Sequence, residues 1–193
     1  GPLYVFFDDE EILAADDTMV DDAYWVDGYL PDGSSLEYME DGSWNAGTSR
    51  VLDVAGGNLL GTRPDGAVSA IQGSATLKVL HKHGNKALDI GFQPIAVAAG
   101  DIDQDSIDEI IAIGANGQYA ICDAVEETCV NDVIDNATDG YDVTVGDIDG
   151  DNSEEPIFLV ERGGDNQIVA LNPDYEVSGE PKWVGGPSDE YMA

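Results

Sequence analysis

The chain has 193 residues, 42% of them hydrophobic, enough for one domain with a real core and too many for a disordered chain. Forty Asp and Glu stand against seven Lys and Arg, a formal net charge of -33, and that field repels nucleic acid and anionic membrane surfaces. The composition therefore excludes a nucleic-acid partner, and the absence of any long apolar run excludes direct membrane insertion by a helix.

Two physical explanations of the acidity stand side by side. At molar salt the Debye length falls to about 3 Å, so dense surface carboxylates no longer repel one another and keep a protein hydrated. The alternative is divalent-cation binding, which needs only some of the acids. Acids run the whole length, in FFDDEEILAADD and MVDDAYWVD as elsewhere, and this distribution points to a salt-adapted surface, that of a halophilic microbe or its virus.

Read in chain order, the sequence divides into four units of roughly equal length, residues 1–46, 47–92, 93–138 and 139–193, within one domain. The first begins GPLYVFF without Met, consistent with a processed form, an excised fragment or a scar of tag removal. It joins an aromatic strand to acids and an apolar run, around Asp8. Its stretch DDEEILAADDTMVDDA reads either as a short helix or as an acidic loop. The second unit, around Asp53, carries a strand, a loop and a strand without an acidic ladder, then LHKHG. His81 and His83 would share one face of a strand, a candidate transition-metal pair, but HGNK reads more simply as a hairpin end.

The third and fourth units align closely: PIAVAAGDIDQDSIDEIIAIGANGQYAICDA with YDVTVGDIDGDNSEEPIFLVERGGDNQIVALNP. Each reads as a strand, an acidic loop, a second apolar strand, a Gly/Asn turn and a third strand, a small antiparallel meander. Cys122 and Cys129 match no zinc knuckle; a local disulfide, implying an oxidising setting, and two free thiols are the alternatives. The stretch DAVEETCVNDVIDNA again allows a short helix, and Asn136 opens a glycosylation acceptor triplet. Trp25, Trp44 and Trp183 are candidates for a sugar-stacking surface or for inter-unit packing.

The two acidic loops have the same offsets. Counting from the first Asp, positions 1, 3, 5 and 9 are Asp101, Asp103, Asp105 and Glu109, then Asp147, Asp149, Asp151 and Glu155. Calcium takes six to eight oxygen ligands, and alternate inward-pointing carboxylates with the position-7 carbonyl of Ile107 or Ser153 would deliver them from a short turn. An EF-hand needs Glu at position 12 and an outgoing helix; position 12 is Ala112 or Phe158, each inside a β-type apolar run.

This pattern, an apolar strand, Gly, an Asp ladder and an immediate second strand, resembles the FG-GAP or integrin-alpha-type propeller repeat and the related VCBS repeats. The resemblance implies an all-β β-propeller of about four blades, or a segment of a larger one. It also implies bound Ca2+ held by positions 1, 3, 5, 7 and 9 of each loop. The sequence departs from the family at position 6, Ser106 and Asn152 in place of Gly, and at position 9, Glu in place of Asp.

There is no nucleophile elbow, HExxH, P-loop or GxGxxG, so no catalytic residue is assigned. The expected function is a non-catalytic, calcium-stabilised extracellular or cell-surface module for adhesion or surface and filament assembly. Its partners would be other cell-surface proteins, glycans or copies of itself. The alternative is a carbohydrate-binding or polysaccharide-degrading propeller protein.

Overall fold

A computed structural model describes residues 3–6, 12–15, 24–29, 43–47, 49–62, 66–81, 85–148, 150, 153–171 and 182–183. The chain is all-β; the described residues form sixteen strands in four open, four-stranded antiparallel sheets. The first sheet holds β1 (Leu3–Phe6), β2 (Ile12–Ala15), β3 (Tyr24–Tyr29) and β4 (Ser43–Gly47). The second holds β5 (Val51–Gly57), β6 (Gly66–Ile71), β7 (Thr76–Leu80) and β8 (Lys86–Asp89). The third holds β9 (Pro94–Gly100), β10 (Glu109–Gly114), β11 (Gln118–Asp123) and β12 (Thr128–Val133). The fourth holds β13 (Ala137–Gly146), β14 (Glu155–Arg162), β15 (Asp165–Ala170) and β16 (Lys182–Trp183). Each is a meander of neighbours in sequence, the connection that short Gly- and Asn-containing turns favour.

Within the described residues each stretch that left a helix open contains a strand: ILAA of the first is β2, and TCVNDV of the second is β12, at the outer edge of its sheet. The only helical turn among the described residues of the last three sheets is a three-residue 3-10 turn at Ala115–Gly117. Cys122 and Cys129 face each other across β11 and β12 and are disulfide-bonded, with their Cα atoms 4.1 Å apart. Direct cross-strand pairing brings two Cβ atoms within bridging reach, so the strand register itself makes the bond. Among the described residues no helix is long and apolar enough to cross a membrane.

The sheets stack in chain order through their first strands: β1 on β5, β5 on β9, β9 on β13. The second strands explain why. β6 (GAVSAI) and β10 (EIIAIG) are buried along their whole length, because each lies in a sheet covered on both faces. Val68 and Ala70 of β6 meet Ile110 and Ala112 of β10 in one core. Ile111 and Ile113, on the opposite face of β10, meet Phe158 and Val160 of β14 in a second. At about 25 cal/mol per Å2 of apolar surface, each such sheet interface is stabilising enough to position the loops at its end.

The first and second strands of the last three sheets are joined by loops of identical length, residues 58–65, 101–108 and 147–154, each following a glycine that ends the first strand. Neighbouring loops interlock. Asp108 accepts the Asn58 backbone N–H at 2.8 Å and its own N–H donates to the Asn58 carbonyl at 3.2 Å. The Asn58 side-chain amide donates to the Ser106 carbonyl at 2.6 Å, and one loop further on the Ser153 hydroxyl donates to the Ile102 carbonyl at 3.1 Å.

Candidate metal centre

The loop from β9 to β10 turns back on itself in eight residues, and its own carboxylates supply the hydrogen bonds that the backbone loses on leaving the sheet. The Asp105 N–H donates to Asp103 Oδ1, the Ile107 N–H to Asp105 Oδ1 and the Ser106 N–H to Asp101 Oδ2, at 3.1, 2.8 and 3.0 Å. The first two are Asx-type turns, for which Asp is suited. The tight path requires positive φ at Gln104 (64°) and Ser106 (72°). In the loop from β13 to β14 the equivalent of Gln104 is Gly150, at φ 83°, where glycine adopts that region without a Cβ clash.

Folding brings carboxylate oxygens of Asp101, Asp103 and Glu109 within 4.8 Å of one another. Asp101 and Asp103 come from the loop, whereas Glu109 is the first residue of β10 and is held by the sheet. Its Oε2 accepts the Ile102 N–H at 3.1 Å, tying positions 2 and 9 together. Burial in front of the core pushes the Glu109 carboxyl up to about 7; the Ile102 hydrogen bond opposes this, and the charges of Asp103, Asp105 and Asp101 add to it. Asp101 Oδ1 is buried and has no hydrogen-bond donor. A buried carboxylate oxygen without a donor, beside two further carboxylates, costs free energy that a bound cation would remove.

The loop from β13 to β14 repeats part of this arrangement. Glu155, the first residue of β14 and buried, accepts the Ile148 N–H on Oε2 at 2.9 Å, as Glu109 does from Ile102. Its other oxygen, Oε1, is buried without a donor. Asp147 Oδ1 accepts the Gly150 N–H at 2.7 Å. Asp149 and Asp151 lie outside the described residues.

Of the sequence-derived ligand set, Asp101, Asp103 and Glu109 converge into an all-oxygen cluster that could hold a metal ion. Asp105 is exposed, and its Oδ1 accepts the Ile107 N–H. Ser153 is buried, with its hydroxyl on the neighbouring loop. Of the two histidines, His81 is buried just beyond β7, and His83 is outside the described residues. Trp25, Trp44 and Trp183 lie in β3, β4 and β16, and their side chains are outside the described set.

One feature that the residue spacing did not disclose is the role of position 8. Asp108 and Glu154 point away from their own ladders and lie over the glycines that end the preceding first strands, Gly57 and Gly100. The signal was present as an acid at position 8 in both loops, but it reads as part of the ladder until the neighbouring sheet is in place. No protein-family model matches the chain, and no curated protein matches it.

Proposed function

We propose that the protein is a non-catalytic β-propeller module of the FG-GAP or VCBS type, working extracellularly or at the cell surface in high salt. It acts in adhesion or in surface and filament assembly, and Ca2+ in its acidic loops is a structural element. Asp101, Asp103 and Glu109 would hold the ion in the first loop, with Asp105 and the Ile107 carbonyl as the further oxygens that calcium's coordination number calls for. The same positions of the second loop are Asp147, Asp149, Asp151, Ser153 and Glu155.

The observation that carries this reading is the pair of buried carboxylate oxygens without donors, Asp101 Oδ1 and Glu155 Oε1, one in each loop. Halophilic surface acids are solvated, so they do not need to be buried without partners; ligands awaiting a cation do. The stacking of first strand on first strand, sheet after sheet, supports the propeller part. The cross-strand disulfide supports an oxidising, extracellular setting.

The test is a thermal melt at fixed molar ionic strength, in calcium and then in chelator. A ligand present at about 100 times its Kd stabilises by about 2.7 kcal/mol, which for a chain of this size is a rise of roughly 5 to 10 °C. Asp103→Ala combined with Asp149→Ala is expected to abolish the difference between the two conditions. A calcium response that persists in the double variant would refute the ligand assignment, and a wild type indifferent to calcium would leave the acids as salt-adapted surface.

A further inference from the structure

The two acidic loops are joined to each other. Residues 153 and 154 of the second loop grip the first on either side of its leading ligand, Asp101. The Ser153 hydroxyl donates to the Ile102 carbonyl at 3.1 Å, and both residues are buried. That carbonyl belongs to the peptide between Ile102 and Asp103, so Ser153 holds the backbone that runs from one ligand to the next. The Glu154 side chain lies over Gly100, the residue before Asp101, in space that a Cβ there would fill. Between these two grips the Ile102 side chain, 1% exposed, packs in the same core as Phe158 of β14.

The gripping residues are tied in turn to ligands of both loops. The Ile102 N–H donates to Glu109 Oε2 at 3.1 Å, so Ile102 is held on one side by a ligand of the first loop and on the other by Ser153. Ser153 and Glu154 run directly into Glu155, which is 3% exposed, accepts the Ile148 N–H at 2.9 Å and keeps Oε1 without a donor. A continuous path therefore links Glu109 to Glu155 through Ile102 and Ser153. Fixing one end of such a path leaves less conformational entropy to be lost at the other. Charge gives the link its sign. Glu154 over Gly100 stands beside the carboxylates of the first loop, and like charges push it away. A cation held by Asp101, Asp103 and Glu109 reverses that field, which keeps Glu154 on Gly100 and so sets Ser153 and Glu155 in place. Repulsion between two bound cations acts in the opposite direction, but molar salt screens it.

We propose that the two loops bind calcium cooperatively, occupation of either one raising the affinity of the other through the Ser153–Ile102 hydrogen bond and the seat of Glu154 on Gly100. The inference rests on the calcium reading of the loops and adds that the two sites fill as a pair. Coupling of this kind is reciprocal, and the pair fills over a narrower range of calcium concentration than two separate sites would. It extends no further along the row. On its other side the first loop is tied to Asn58, whose backbone N–H Asp108 accepts at 2.8 Å and whose side-chain amide donates to the Ser106 carbonyl at 2.6 Å. Positions 1, 3 and 5 of that neighbouring loop are Asn58, Leu60 and Thr62, which offer a cation no carboxylate.

The experiment is calcium titration calorimetry on the full chain at fixed molar potassium chloride, with circular dichroism as the check on folding. Asp149→Ala leaves the first site and Asp103→Ala the second, and each variant gives one association constant. The overall two-ion constant of the wild type is expected to exceed the product of those two roughly tenfold, a coupling of ordinary size. The same set is then measured with Ser153→Ala and Glu154→Gln added, which removes the hydroxyl and the charge at the junction. Whatever these substitutions do to either site alone cancels in the ratio of constants, which should fall to about one. If that pair of substitutions unfolds the chain, Glu154→Gln alone, at a half-buried position, should lower the ratio part of the way. A wild-type ratio near one, or binding of a single ion, overturns the coupling and leaves calcium binding itself standing. A raised ratio that survives the junction substitutions overturns the route through Ser153 and Glu154. A wild type that binds no calcium overturns the coupling and the calcium reading together.

Discussion

Glu109→Gln in the acidic loop tests whether the carboxylates there are a burden on the fold until a cation arrives. Burial and the neighbouring charges of Asp103, Asp105 and Asp101 raise the Glu109 carboxyl from 4.5 to about 7 in the metal-free fold, against a single opposing hydrogen bond from Ile102. A raised carboxylate binds its proton more tightly folded than unfolded. Stability in chelator is therefore fullest below about pH 4.5 and falls as pH rises through 7. The shift corresponds to roughly 3 kcal/mol at 1.36 kcal/mol per pH unit; solvent screening on the exposed Asp103 and Asp105 side reduces this to about 2 kcal/mol. Calcium favours the ionised form and reverses the sign of the local field, so the fall should vanish when calcium is bound.

The assay is chemical denaturation in chelator and in calcium, at constant molar ionic strength, from pH 4 to about 8. Many other carboxylates titrate at the acidic end, so the informative quantity is wild type minus Glu109→Gln at each pH. The variant keeps an acceptor for the Ile102 N–H but carries no charge. In chelator it should gain about 2 kcal/mol on the wild type between pH 4.5 and 7.5, and in calcium it should be the less stable of the two. Parallel pH profiles in chelator would show that Glu109 ionises as freely as a surface acid. The burden assigned to the loop would then not exist.

Asp53 extends the same linkage to a residue outside the loops. Burial lifts its carboxyl from 3.8 to about 6, partly opposed by the N–H groups of Val97, at 2.9 Å, and of Val54, and reinforced by the charge of Asp142. Its folded pKa being the higher, stability falls as pH rises from about 4 through 6; Asp53→Asn, which retains the acceptor, should add about 2 kcal/mol at pH 7 and nothing at pH 3.5, read as denaturation midpoints. Ser106 holds φ 72°. A non-glycine residue in that region costs about 1 kcal/mol, so Ser106→Gly should raise the midpoint of a thermal melt by roughly 2 to 4 °C, and a drop would mean that the side chain contributes more than the backbone strain.

Much of the site was legible because its information is local. The offsets of Asp101, Asp103 and Glu109 lie within nine residues, and a turn followed directly by the apolar run EIIAIG brings them together whatever the rest of the chain does. The same locality did not show that Asp105 Oδ1 accepts the Ile107 N–H two residues on. It also hid Asp108 and Glu154, which belong to the junctions between sheets although they sit among ligands in the sequence. The ILAA and TCVNDV stretches were ambiguous for a related reason. Acidic and alanine-containing segments carry weak periodicity, and pairing with a neighbouring strand decides their state.

By itself the sequence determined the all-β class, the recurrence of the acidic loop and the net charge of -33. These depend on period-2 patterning, on short-range offsets and on a sum of charges, none of which needs a partner surface. The tertiary structure alone decided which carboxylates are buried and which of their oxygens lack donors. Burial is a property of what lies opposite. Glu109 and Glu155 look like two more acids in an acidic chain until the cores behind β10 and β14 remove their water.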